Sequence, residues 1–251
     1  MAISAMGVFR IGAASMMAQQ RAIEVISNNL ANINTTAFDR SRVEFKEVLE
    51  LQGKASEATG VGIGGVRRVL RQGAIRPTGR ELDLAIQGEG FFAVQLPDGR
   101  VGYTRNGSFQ MDQRGQLVTD DGYPLFPPLI VPEGAEDLAF QPDGTLAARM
   151  PGSEVWQPVA PMQLARVPNP EGLAHYGRGV YVATPTSGEA AVGSPGQGGY
   201  GRLVVRALED SSVELSEEMT ELIIAQRVYS LGVRLVQTAD DMQQLANQLL
   251  G

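Results

Sequence analysis

An α+β fold, pairing a discontinuous coiled-coil-like helical domain made from both termini with a central all-β domain of short strands, follows from three features of this 251-residue chain. Apolar residues recur seven apart at each end, as on an amphipathic helix. Short apolar runs broken by Gly, Pro, Asn and Asp fill the middle, as in sheets joined by tight turns. A Gly-rich, basic stretch separates the two textures. The expected boundaries are 1–50 with 208–251 for the helical domain, 51–81 for a linker or extended segment, and 82–207 for the β-rich domain.

Residues 3 to about 33 read as one helix. Phe9, Met16, Ile23 and Leu30 lie seven apart, with Met6, Ala13, Ile26 and Ile33 on neighbouring faces. Gln19, Gln20 and Ser27 dilute the second core position. At 1.5 Å per residue the helix would be about 45 Å long. Its foot, the stretch SNNLANINTTAF, holds Asn28, Asn29, Asn32 and Asn34. Their amides compete for backbone groups inside a helix, so they suit its end or bonds to another element.

Residues 52–80 are Gly-rich and basic, with β-like runs such as Val66–Leu70. Gly60, Gly62 and Gly65 match G-x-G-x-x-G, but GKASEAT precedes them and Val66-Arg67-Arg68-Val69 follows. A dinucleotide loop needs a strand before it and a helix after it, so a flexible or bulged loop is the reading. From Leu82 the chain alternates strands and turns, with Pro97-Asp98-Gly99 and Pro142-Asp143-Gly144 as turn signals. Residues 185–200 read as a Gly/Ser/Pro loop. A second long helix is expected over 212–250, with Ser212 as N-cap and Glu214, Glu217 and Glu218 favouring its positive end. Leu215, Leu222, Tyr229 and Val236 lie seven apart, as do Val228, Leu235, Met242 and Leu249; Gly251 would end it.

The net charge of −7 argues against a polyanion binder, so no nucleic-acid partner is expected. From Glu209 to Gly251, eight acids face only Arg227 and Arg234. No Cys exists, which excludes disulfides and thiolate metal sites. Arg10 interrupts the apolar N-terminus, so no cleaved signal peptide is read, and no run of 18 apolar residues could span a bilayer. His175 is the sole histidine and lacks a nearby carboxylate; no G-x-S-x-G elbow supports a triad. Adjacent carboxylates at Asp120-Asp121, Glu217-Glu218 and Asp240-Asp241 point to different sides and read as turn or solvated-face residues. No catalytic, cofactor or metal residues are assigned, and the chain is not read as an enzyme.

Three ordered blocks carry a resemblance. Ile26–Phe38 resembles the S-x-N-L-A-N-x-x-T-x-x-F signature of the axial proteins of the bacterial flagellum, the rod and hook family. Asp83–Leu125 is similar to the family's central block, with its G-F-F, P-D-G, Y-T-R-x-G-x-F and D-x-x-G-x-L-V elements. Glu218, Met219, Leu222, Ile223, Gln226, Arg227, Tyr229, Asp241 and Met242 match its C-terminal helix pattern. The family often has Gly where Ala37 stands and a basic residue where Asp39 stands. Length and the uninterrupted Tyr103–Phe109 block make the chain most similar to the distal-rod branch, with a proximal rod paralogue as the alternative.

The resemblance implies a structural subunit of the basal-body rod that polymerises helically into a hollow drive shaft transmitting torque to the hook. Implied partners are further copies of the chain, other rod subunits, the hook protein and the surrounding ring proteins, with no direct membrane insertion. Export through the flagellum's own type III channel is implied, with termini that are disordered in the free monomer and fold on assembly. The expected subunit interface comprises Phe9, Met16, Ile23, Leu30, Asn28, Asn29, Asn32, Leu215, Met219, Leu222, Gln226, Arg227, Tyr229, Val236 and Met242. A rival reading, a small-molecule binder or enzyme on the β-domain, would need a pocket with converging polar groups.

Overall fold

The computed structural model describes residues 5–52, 55–141 and 143–250. Expectations at residues 3, 4 and 54, at Pro142 and at Gly251 lie outside them, as do the side chains of Met6 and Leu249. The fold is mixed α+β, with two long helices and many short antiparallel strands. It divides into two units, one made of residues 1–33, 40–69 and 213–251 and the other of residues 34–39 and 70–212. The backbone passes from unit to unit after residues 33, 39, 69 and 212.

The first unit contains α1 (Ala5–Ala31), β1 (Ser41–Gln52), β2 (Ala55–Arg68) and α2 (Leu215–Leu250). β1 and β2 pair as one long antiparallel hairpin, with register shifts at Glu44/Phe45 and Val48/Leu49. This hairpin runs from the end of the expected helical domain, 1–50, into the expected linker or extended segment, 51–81. Gly64 serves packing in it. A Cβ on Gly64 would lie 2.7 Å from the Lys46 Cγ, so the bare backbone leaves room for the lysine stem. Ala22, Val25, Ile26, Val43 and Ala225 form the small core of the unit, flanked by Ile23, Leu30 and Leu222. α2 begins at Leu215, not at Ser212. The Ser212 N–H and hydroxyl both donate to the Phe38 carbonyl, at 3.0 and 3.2 Å, which takes that side chain away from capping.

Among its described residues the second unit is all β apart from one short 3-10 turn. Phe92–Gln95 and Val101–Thr104 form the expected hairpin around Pro97-Asp98-Gly99, where Gly99 adopts φ 84°. They belong to a four-stranded sheet completed by Val180–Val182 and Ala174–Gly177. Both faces of Phe92–Gln95 are covered. Phe92 and Val94 enter a large cluster with Leu84, Phe109, Leu117 and Leu146, while Phe91 and Ala93 join Tyr103, Ala165 and Tyr181. That double burial explains the unbroken GFFAV run. The Leu84–Gln87 strand departs from a simple meander and pairs with Arg202–Val205; Ile75–Pro77 likewise pairs with Ala207–Glu209. The loop read at 185–200 contains a short strand, Ala191–Gly193, paired with Leu164–Arg166.

Ala37 holds a left-handed backbone, φ 53°, and its N–H donates to the Glu209 carbonyl at 2.8 Å. A residue with a Cβ is strained there by about 1–2 kcal/mol, while glycine costs about 0.5–1 kcal/mol more to order. Ala37→Gly is therefore expected to stabilise the fold by up to about 1 kcal/mol. Thermal unfolding checks this, and a midpoint at or below that of the parent chain contradicts it. Asp39, the other departure from the family pattern, accepts the Tyr181 hydroxyl at 2.7 Å.

Candidate assembly surface

α1 and α2 run antiparallel along each other. Asn29, near the end of α1, meets Glu218 in the first turns of α2, whereas Gly12 lies against Gly232 and Val236. The buried line on α2 is Glu218, Ala225, Gly232 and Ala239, seven residues apart. On α1, Gly12 and Met16 meet Gly232, Ala22 shares a core with Ala225, and Asn29 meets Glu218. The helices approach closely because the contact residues are small. A Cβ on Gly12 would stand 2.9 Å from the Val236 Cγ2, and one on Gly232 would stand 2.8 Å from the Met16 Cγ.

A polar knot closes one end of this seam. The Asn29 amide donates to the Ser41 carbonyl at 2.8 Å and to the Glu218 carboxylate at 3.0 Å, and its oxygen accepts the Ser41 N–H at 2.9 Å. Arg40 faces three carboxylates on α2. Its Nη1 meets Glu217 at 2.8 Å, its Nη2 meets Glu221 at 2.9 Å, and its Nε pairs with Glu218. Burial opposes the guanidinium charge, but Glu218 and Glu221 outweigh it and hold Arg40 above its ordinary value. Glu218 and Asn29 are fully buried, so the knot replaces water with fixed partners at the junction of α1, α2 and β1.

Among the described side chains, the rest of α2 presents an exposed apolar surface. Ile224, Leu231, Leu235, Met242 and Leu245 are each more than half exposed and recur at spacings of seven, four, seven and three. Such a stripe on a helix normally faces another packed surface. Leu215, Met219 and Ile223 extend a second exposed row over the first turns. Of the sequence-read interface residues, Leu215, Met219, Gln226, Arg227, Tyr229 and Met242 are exposed. Phe9, Met16, Ile23, Leu30, Leu222 and Val236 are half-buried. Asn29 is spent within the chain. Asn28 is exposed, and its carbonyl accepts the Asn32 side-chain amide at 2.9 Å. Sequence reasoning missed Arg40, Gly12 and Gly232, whose roles arise from close approach between distant segments. Three acids in the first two turns of α2 opposite a lone arginine were the available signal.

In the second unit, Arg105 donates from Nε to Glu209 at 3.0 Å and from Nη1 to the carbonyls of Gly88 and Gly90 at 2.8 and 2.7 Å. Burial lifts the Glu209 carboxyl above its ordinary value, against the opposing pull of Arg105 and the Gly73 N–H. A cleft of about 470 Å³ adjoins these groups, lined among others by Asp39, Arg71, Phe91, Arg105, Arg166 and Glu209. Its charges are largely committed to each other, since Arg166 pairs with Glu89 and Arg105 with Glu209. His175 is exposed and meets the Tyr181 ring edge-on at 5.7 Å.

Three family models match the chain: "Flagella basal body rod protein" over residues 9–38, "Flagellar hook protein FlgE/F/G D1 domain" over 85–148, and "Flagellar basal body rod FlgEFG protein C-terminal" over 205–249. A flagellar basal-body rod protein FlgG of Caulobacter vibrioides is 39% identical, across 97% of this chain and 99% of its own length. A protein of the same description from Borreliella burgdorferi is 35% identical, across 94% and 96%. The flagellar basal-body rod protein FlgF of Escherichia coli is 32% identical, across 96% of each chain.

Proposed function

Because the chain belongs to the flagellar basal-body rod protein family, we propose that it is a structural subunit of the distal rod, polymerising into the hollow shaft that carries torque to the hook. Higher identity to rod proteins named FlgG than to one named FlgF supports the distal position. The observation that carries the assembly reading is the exposed stripe Ile224–Leu231–Leu235–Met242–Leu245 on α2. Head-to-tail stacking of copies buries it in coiled-coil fashion and yields an open helical filament instead of a closed ring. Other rod subunits, the hook protein and the surrounding rings are the partners of such a shaft, which crosses the periplasm inside the basal body. On this reading the subunit is exported as an unfolded chain through the flagellum's own channel.

A double substitution, Leu231→Glu with Leu235→Glu, tests the stripe. Each buried leucine contributes about 1.5–3 kcal/mol, so self-association is expected to weaken by about 100-fold or more. Sedimentation velocity across a concentration series reads this directly. The parent chain should grow with concentration while the variant remains monomeric, with unchanged fluorescence from Trp156 in the second unit. Equal assembly of the two proteins would rule the stripe out as the interface.

A further inference from the structure

Three arginines, Arg71, Arg105 and Arg166, line the cleft of the second unit together with three acids, Asp39, Glu89 and Glu209. Their formal charges cancel, but their hydrogen-bonding capacities do not. Both Glu209 oxygens are taken, one by the Gly73 N–H at 3.0 Å and the other by the Arg105 Nε. Asp39 holds the Tyr181 hydroxyl. Among the described residues, the Arg71 guanidinium meets no hydrogen-bond or ion-pair partner, and Arg166 uses only its Nε, on Glu89 at 2.9 Å. A guanidinium offers a planar fork of donors and no acceptor, so the cleft holds a surplus of donors. The Arg166–Glu89 pair is also weak, because the Glu89 side chain is 70% exposed. Gly88 and Glu89 border a second hollow as well, of about 440 Å³, which reaches Gly196, Tyr200 and Arg202. The Arg202 side chain, exposed, is likewise without a partner among the described residues.

We propose that the two adjoining hollows form one docking groove for an extended acidic peptide segment of a partner protein. Its carboxylates take the unused forks of Arg166 and Arg71, a geometry that suits two parallel N–H···O bonds, and Arg202 makes the far contact. Its apolar side chains lie against Phe91, Val167, Pro168 and Pro170, which wall the first hollow. A small anion would use one point of this surface, whereas an extended chain with alternating acidic and apolar residues uses its whole length. Glu89 is a resident competitor, holding Arg166 until a partner carboxylate displaces it. The groove lies wholly within the second unit and does not rest on the polymerisation reading.

Isothermal titration calorimetry of the full-length chain with a capped peptide alternating Glu and Val tests the groove. The same peptide with Gln in place of Glu, and inorganic phosphate, serve as contrasts. The acidic peptide should bind, and more weakly as salt rises. Arg71→Gln and Arg166→Gln should each weaken it about 10-fold, with unchanged thermal midpoints because both side chains are exposed. Arg202→Gln should weaken it about 3-fold, as expected of a ligand that spans both hollows. Glu89→Gln, which frees Arg166, should tighten it about 3-fold, a gain that misfolding cannot imitate. No binding, equal binding of the Gln peptide, or no gain with Glu89→Gln overturns the proposal. Phosphate that displaced the peptide at equal concentration would overturn it too, because the cleft would then take any small anion.

Discussion

Gly107→Ala is expected to lower the thermal midpoint of the second unit by about 10 °C or more, corresponding to a loss of about 3–5 kcal/mol. A Cβ at this position would sit 1.8 Å from the Leu84 carbonyl oxygen and 3.0 Å from the Phe92 ring. Neither neighbour can yield. The Leu84 N–H donates to the Gly107 carbonyl at 3.0 Å, and both Leu84 and Phe92 are fully buried. Room for one methyl therefore requires this crossing to part and the Phe92–Phe109 edge-to-face pair, 5.1 Å between centroids, to shift. Gly122→Ala provides the contrast. Gly122 has φ 84° and nothing within 4 Å, so only backbone strain of about 1–2 kcal/mol is expected. Urea unfolding followed by Trp156 fluorescence would expose a mistaken geometry if the two variants were equally stable.

Glu218→Ala is expected to destabilise the first unit by about 3–5 kcal/mol, because removing one partner strands the other charge and amide in a dry site. Arg40 would keep Glu217 and Glu221, each 40–45% exposed, but lose the carboxylate beneath its Nε. The Asn29 side chain would lose one of its two acceptors. Glu218→Gln should fall between, since an amide can still accept from Asn29 but no longer balances the guanidinium. Circular dichroism at 222 nm through a thermal ramp separates the three proteins. Coincident helix melting for all three would show that the knot adds nothing to stability.

Turn chemistry and the existence of both helices were legible in the sequence, because each depends on local spacing. Pro97-Asp98-Gly99 and Asp120-Asp121-Gly122 turn where expected, with the Gly99 and Gly122 N–H groups closing onto the carbonyls of Leu96 and Thr119. The Tyr103–Phe109 block takes on physical meaning only in three dimensions. Arg105 ties two carbonyls to Glu209, Gly107 makes way for Leu84, and Phe109 fills the core. Pairing of Leu84–Gln87 with Arg202–Val205 was not legible, since partners so distant in sequence are selected by tertiary packing. The seam was hidden for another reason. Heptad reading favours large apolar residues, whereas these helices meet where Gly12 and Gly232 make room for Val236 and Met16, and turn many of their large side chains outward. Asn29 could be singled out from its neighbours only once Ser41 and Glu218 were seen beside it.

The backbone leaves one unit for the other after residues 33, 39, 69 and 212, so four covalent strands join them. The two units are thus tied by four covalent connections and not by a single tether. Any one cut in the polypeptide still leaves the two units linked by peptide bonds. That redundancy is obtained by interleaving the sequence instead of thickening it.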